Sequence, residues 1–134
     1  MRTVTVETRV RVELVDVTRH LQEELAASGV RSGVLVAYVP HTTAGVTINE
    51  NADPSVRRDL ITALGRLVPE DLPFTHAEGN ADAHVKASLL GSGVTVPVEH
   101  GRLLLGTWQG VYLGEFDGPR RRQLLISVLA DGGR

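Results

Sequence analysis

The 134-residue chain carries 14 basic and 16 acidic side chains, a formal charge of −2, and no cysteine. That length fits one domain spanning residues 1–134, with a core that needs no disulfide or metal staple. The charge balance argues against a protein built to hold nucleic acid, and the missing thiols exclude disulfides, thiolate nucleophiles and thiolate metal sites. Aromatics make up only 4% of the residues, so Val, Leu, Ile and Ala must build most of the core. Met1 to Val10 alternates polar and apolar residues, which is no signal peptide. Nothing approaches the ~20 apolar residues of a membrane span, so the expectation is a cytoplasmic protein with no membrane partner.

Residues 3–14 put Val4, Val6, Val10, Val12 and Leu14 at even positions, with Thr8 the exception. Period two with β-branched content predicts one half-buried strand. Asp16 can cap a following helix. Val17, Leu21 and Leu25 give that helix its stripe, and Gly29 its stop. Val34 to Val39 is a short apolar run of the kind covered on both faces. After Pro40 comes His41 to Asp53. If it is extended as far as Asn49, His41, Thr43, Thr47 and Asn49 share one face, and Ala44, Val46 and Ile48 share the other. Asp53-Pro54 then starts a helix, with Val56, Leu60, Leu64 and Leu67 as its buried stripe and Arg57, Arg58 and Arg66 on a solvated face.

Residues 69–83 show no period, and irregular segments of that length are often functional. A helix follows from about Asp82 to Leu90, stopped by Gly91, with His84 in a first turn that favours an anion. Val94, Val96 and Val98 predict a strand, and Glu99 to Arg102 a hairpin turn. From Leu103 to Phe116 glycine alternates with aromatic residues at Gly106, Trp108, Gly110, Tyr112, Gly114 and Phe116. Leu124 to Leu129 closes the sheet. Consecutive strands near the end predict an α+β fold, a mixed or antiparallel sheet with three helices.

Two constellations could carry chemistry. His41, His76 and His84, with Glu78 nearby, are donors that suit zinc or another divalent ion, or else unconnected surface and capping histidines. Asn49, Glu50 and Asn51 offer acceptors for Mg²⁺ or a general base, or simply turn chemistry before a helix. Lys86 and Arg102 are the basic groups nearby. Arg120, Arg121 and Arg122 read as a solvated edge. Thr107, Trp108 and Gln109 supply a hydroxyl, an indole and an amide. No Ser-His-Asp order, P-loop or Rossmann glycine pattern is present.

Four ordered blocks then carry a resemblance. They are His41-Thr42-Thr43-Ala44-Gly45-Val46-Thr47-Ile48-Asn49-Glu50-Asn51-Ala52-Asp53-Pro54, His76-Ala77-Glu78-Gly79, Ala83-His84-Val85-Lys86-Ala87-Ser88-Leu89-Leu90-Gly91, and Gly101-Arg102 through Gly106-Thr107-Trp108-Gln109-Gly110. Together they resemble the YjbQ-like family, often labelled secondary thiamine-phosphate synthase. The resemblance implies a compact α+β homotrimer. It also implies joining of a pyrimidine pyrophosphate to a thiazole phosphate, with loss of pyrophosphate at a divalent metal, zinc or magnesium, held by His41, His76 and His84. His41, Asn49, Glu50, Lys86 and Arg102 would be the catalytic groups. Thr43, Thr107, Trp108 and Gln109 would bind a small, phosphorylated substrate. The family's usual Asp-Asp-Met-Pro-Ala-His reads Asn80-Ala81-Asp82-Ala83-His84 here, so a ligand role does not carry over to Asp82. The alternatives are a metal-dependent hydrolase of a small phosphate ester and a non-catalytic trimer that binds a small anion or metabolite.

Overall fold

The computed structural model describes residues 1–132 and splits the alternating N-terminal stretch into two strands, β1 (Arg2–Glu7) and β2 (Glu13–Asp16). Helix α1 (Thr18–Ser28) follows, then β3 (Gly33–Tyr38), β4 (Ala44–Glu50), α2 (Pro54–Leu67) and α3 (Ala81–Leu90). The chain continues through β5 (Gly93–Glu99), β6 (Arg102–Leu103), β7 (Gln109–Glu115) and β8 (Arg121–Ala130). One sheet has the order β1-β8-β3-β5-β6 and the other β2-β7-β4. Every ladder is antiparallel. The fold is therefore α+β with three helices, as the order of elements predicts.

Both stretches expected as single long strands are broken, and for one reason: each changes sheets. β1 pairs with β8 in the five-stranded sheet, whereas β2 pairs with β7 in the three-stranded one. Likewise β6 pairs with β5, and β7 with β2 and β4. Thr8 marks the first break. Its side chain is buried, and its hydroxyl donates to Glu115 Oε1 at 2.7 Å and accepts from the Arg120 N–H at 2.8 Å. The glycine–aromatic run is broken by the segment 104–108, which leaves only Gln109 to Glu115 as regular strand.

The inner faces of the two sheets enclose the main core. Leu35, Ala37, Leu124 and Ile126 come from one sheet, and Ala44, Val46, Val111 and Leu113 from the other. α1 joins it through Val17, Leu21 and Leu25, all of them fully buried. The Asp16 carboxylate accepts from the Thr18 N–H at 2.9 Å, and Gly29 stops the helix at φ 72°. Burying side chains of this size stabilises by about 1.5–3 kcal/mol each before chain entropy is counted. The β5–β6 hairpin turns through His100 and Gly101 at φ 53° and 73°, the two positive values that a two-residue connection of matching twist needs.

α3 lies on the outer face of the three-stranded sheet. Gly45 and Gly114 oppose each other there, and a Cβ on Gly45 would meet Gly91 O at 2.6 Å. Their missing side chains make room for the end of α3, where Val46 donates to Gly91 O at 2.9 Å. α2 differs from expectation. Its cap is as predicted, with Asp53 accepting from the Ser55 N–H at 2.9 Å. Its stripe is not buried: Val56, Leu60 and Leu64 are half-covered, and Leu67 is 69% exposed. The helix touches the sheet mainly at β2, and Arg57, expected in solvent, sits over the Tyr112 ring at 5.1 Å.

Candidate functional site

A cavity of about 470 Å³ opens between the segment entering β4 and the outer side of α3. His41, Thr42, Ala44, His84, Ser88 and Ser92 are among its lining residues. His41 follows Pro40 and precedes the strand, separated from it by a bend at Thr42 and Thr43, so it lies off the regular face that alternation predicts. The ring is anchored from β8: His41 Nε2 accepts from the backbone N–H of Gln123 at 2.9 Å. An acceptor nitrogen carries no proton, so the proton of the neutral ring sits on Nδ1. Burial lowers the His41 pKa below its usual 6.5, the neighbouring Arg122 charge lowers it further, and Glu115 opposes them. His41 is thus a neutral imidazole with Nδ1–H as its free donor.

Beneath His41 lies a buried ion pair. Glu115 is the next inward position after Val111 and Leu113 on β7, and Arg122 precedes Leu124 and Ile126 on β8. Their exposures are 0% and 3%. The Arg122 guanidinium donates to both carboxylate oxygens of Glu115, to Thr43 O and to Thr43 Oγ1. Burial opposes ionisation of Glu115, but hydrogen bonds from Arg122, Thr8 and the Asp117 N–H outweigh it and hold the carboxyl below its usual 4.5. The pair joins both sheets, the first chain crossing at Thr8 and the segment after His41.

The structure brings some of the expected site residues together and separates the rest. His84 lines the His41 cavity and also a second one with Phe74, Thr75 and His76. The His76 and His84 rings meet edge to face at 5.1 Å, and His76 Nε2 lies 3.4 Å from Glu78 Oε1. Asn49, Glu50, Trp108 and Gln109 instead line a separate shallow cavity at the far end of β4. The six steps from Ala44 to Glu50 span roughly 20 Å of strand, so an extended β4 cannot fold its two ends into one site. Thr107 is exposed, and Arg102 lies on the edge strand β6.

Two of the expected site residues, Thr43 as a substrate contact and Lys86 as a catalytic group, are buried and engaged within the protein. Thr43 is turned inward onto Arg122, and Lys86 is 4% exposed with Nζ 2.9 Å from Asp82 Oδ2. Arg11 closes on the same carboxylate at 3.1 Å.

The expected metal centre does not fit this donor set. Nε2 of His41 is occupied by the Gln123 N–H, and His76 turns its Nε2 toward Glu78. No group of three or more His, Cys, Asp or Glu among the described residues is arranged to hold a metal ion.

Sequence reasoning missed Glu115, Arg122 and the backbone of Gln123. Placing Arg122 in a solvated edge is corrected by its 3% exposure. The available signal was period two: Arg122, Leu124 and Ile126 share a face, as do Val111, Leu113 and Glu115. Ser88 and Ser92 carry no such signal.

The profile of the family described as "UPF0047 protein YjbQ-like" matches residues 2–131. A UPF0047 protein of Methanocaldococcus jannaschii is 52% identical over 126 residues, covering 94% of this chain and 91% of that one. The UPF0047 protein YugU of Bacillus subtilis is 45% identical over 130 residues, covering 96% and 98%. Among solved structures, a YjbQ/UPF0047 protein from Clostridium acetobutylicum superposes with a TM-score of 0.95 at 43% identity, covering 96% and 100%. A YbjQ-like protein of unknown function from Sulfolobus solfataricus gives 0.93 at 32% identity, covering 97% and 96%. The expected thiamine-phosphate synthase activity is overturned by these comparisons. The relatives' descriptions carry no such activity, one is explicitly of unknown function, and the metal group that activity requires is not formed. Among the described residues, no helix is long and apolar enough to cross a membrane.

Proposed function

The chain belongs to the YjbQ-like UPF0047 family, and from that premise we propose that the His41–His84 cleft handles a small uncharged metabolite bearing carbonyl and hydroxyl groups, by proton transfer. The observation that carries this is the hydrogen bond from the Gln123 N–H to His41 Nε2. It commits the neutral ring to offering Nδ1–H. A neutral imidazole N–H polarises a carbonyl oxygen without the cost of burying a cation.

The lining favours an uncharged ligand. It contains no lysine or arginine among the described residues. It does include Ala87, Ser88 and Gly91 from the C-terminal end of α3, where the helix dipole disfavours an anion. A phosphate dianion would therefore lose hydration without a countercharge. Hydroxyls of Thr42, Ser88 and Ser92 suit a polyol or hydroxyketone.

In this reading His41 Nδ1–H donates to the carbonyl oxygen, and His84 accepts a proton from the adjacent carbon. The C–H electron pair forms the enolate, whose oxygen His41 stabilises. Return of the proton regenerates the ketone. Incubating the protein with hydroxyacetone in deuterated buffer should wash deuterium into the α-carbon. Loss of that exchange in both His41→Ala and His84→Ala is the expected outcome. Exchange no faster than in the His84→Ala variant would remove the proposal.

The proposal includes self-association, as the trimer of the resemblance. Its support is apolar surface left uncovered: Leu67, Trp108 and Leu89 are 69%, 62% and 55% exposed. A single-copy mass in sedimentation velocity would end that part.

A further inference from the structure

Resting on the reading of His41 as an Nδ1–H donor, we propose that Arg122, which never reaches the cavity, is the positioning residue that sets the tautomer and aim of His41. Two routes run from its guanidinium to that ring. Along the chain, Arg122 donates to both the carbonyl and the hydroxyl of Thr43, at 3.3 and 2.8 Å. Thr43 is two residues after His41, in the bend that precedes β4. Without that grip, residues 41–43 have few anchors: the next backbone bond in the segment is Phe116 N–H to Thr43 O at 3.2 Å. Across the sheet, Arg122 is the residue before Gln123, whose N–H anchors Nε2. Fixing the Arg122 side chain against Glu115 fixes where that N–H points.

The geometry gives the ion pair a task that packing alone does not require. Replacing a buried ion pair by apolar residues of similar volume is often neutral or stabilising, so stability does not explain its presence at this end of the core. Position does. Glu115 pairs with Ala44 across β4–β7, and Arg122 pairs with Val6 across β1–β8. The pair therefore ties both sheets together beside the segment that carries His41. The groups facing His41 from the packed elements are Arg122, Glu115 and Arg120, and only Arg122 also holds the His41 segment by hydrogen bonds. In water the Nε2–H form of a neutral histidine is the commoner one, so an imposed Nδ1–H form is a spectroscopic mark of this clamp.

The experiment is long-range ¹H–¹⁵N correlation of the histidine rings, run beside the hydroxyacetone exchange assay. It uses wild type, Arg122→Lys, Arg122→Met and Thr43→Val. Wild type is expected to show His41 protonated on Nδ1. Arg122→Lys keeps the charge but cannot make the forked bonds to Glu115 and Thr43. It should show a mixture of tautomers and an exchange rate down about tenfold to a hundredfold, the scale of a reacting group misplaced by about 1 Å. Hydroxyacetone affinity should stay near wild type. Arg122→Met should match or exceed that loss. Thr43→Val removes one acceptor and should fall between wild type and Arg122→Lys. Should Arg122→Met fail to fold, Arg122→Lys and Thr43→Val decide. A pure Nδ1–H tautomer with unchanged exchange in the folded variants overturns the positioning role alone. An Nε2–H tautomer in wild type overturns it together with the proposed function.

Discussion

The two ends of β4 have similar amino-acid character and very different construction. At the first, His41 and Thr43 are held by an enclosed network: Glu115 and Arg122 at 0% and 3% exposure, Thr8, and the backbone of Gln123. At the other, Asn49 is exposed, and Trp108 stands out at 62% exposure. The Asn49 and Gln109 side chains bond locally there: Asn49 Oδ1 accepts from the next N–H at 2.7 Å, and Gln109 Oε1 from the Gly106 N–H at 2.8 Å. A run of polar residues on one strand is therefore not one site. Partner elements decide which end becomes rigid, and here α3 and β8 serve only the first.

The strongest way to break the contrast is to remove one partner of the buried pair. Arg122→Ala leaves Glu115 ionised and uncompensated, and breaking a buried pair in this way costs about 3–5 kcal/mol. The companion change at the other end, Glu50→Ala, removes a carboxylate that forms no ion pair among the described residues. It should stay within about 0.5 kcal/mol. Urea unfolding of both variants gives the comparison directly, and equal losses would mean the two ends are equally built.

This asymmetry also accounts for what could be read from the sequence. α1 was legible because Val17, Leu21 and Leu25 meet the core in the periodic order that predicts them, and Asp16 and Gly29 act locally. The α2 cap at Asp53 was legible for the same reason. The α2 stripe was not, because periodicity states which face is apolar but not whether anything covers it. Sheet switching was hidden as well. Val4 to Val6 and Val12 to Leu14 keep one phase through the break, and only Thr8 departs from it. At the site, His41 and His84, grouped from the sequence, line one cavity. The inward partners of Lys86 and Thr43 were not legible, since a charge or hydroxyl on an otherwise polar face gives no sign that it points at Asp82 or Arg122.

Acid should separate the two ends by a smaller amount. His41 has a native pKa below 6.5, so the unfolded chain binds more protons than the native one as pH falls past that value. Its contribution is complete above about pH 6.5 and is lost as pH drops toward the native pKa. Glu115 has a native pKa below 4.5, so its contribution holds above that pH and is lost on further acidification. The unfolding midpoint should therefore decline in two stages, below 6.5 and then below 4.5. His41→Gln should flatten the first stage and leave the second. A first stage unchanged in that variant would place its origin in another group.

The smallest effect should come from the most conspicuous side chain. Trp108 is large, but it exposes most of its surface, so Trp108→Ala removes little buried apolar area and should shift the stability of the isolated chain by no more than about 0.5 kcal/mol. Its backbone, not its ring, carries the local structure: the Asn51 N–H donates to Trp108 O at 2.9 Å, and alanine keeps that bond. Thermal unfolding at low protein concentration isolates this term. A loss comparable to Arg122→Ala under those conditions would mean the indole packs against its own chain, and the far end of β4 would then be a built site like the first. A near-neutral result that becomes a clear loss at high protein concentration would assign the indole to a contact between copies.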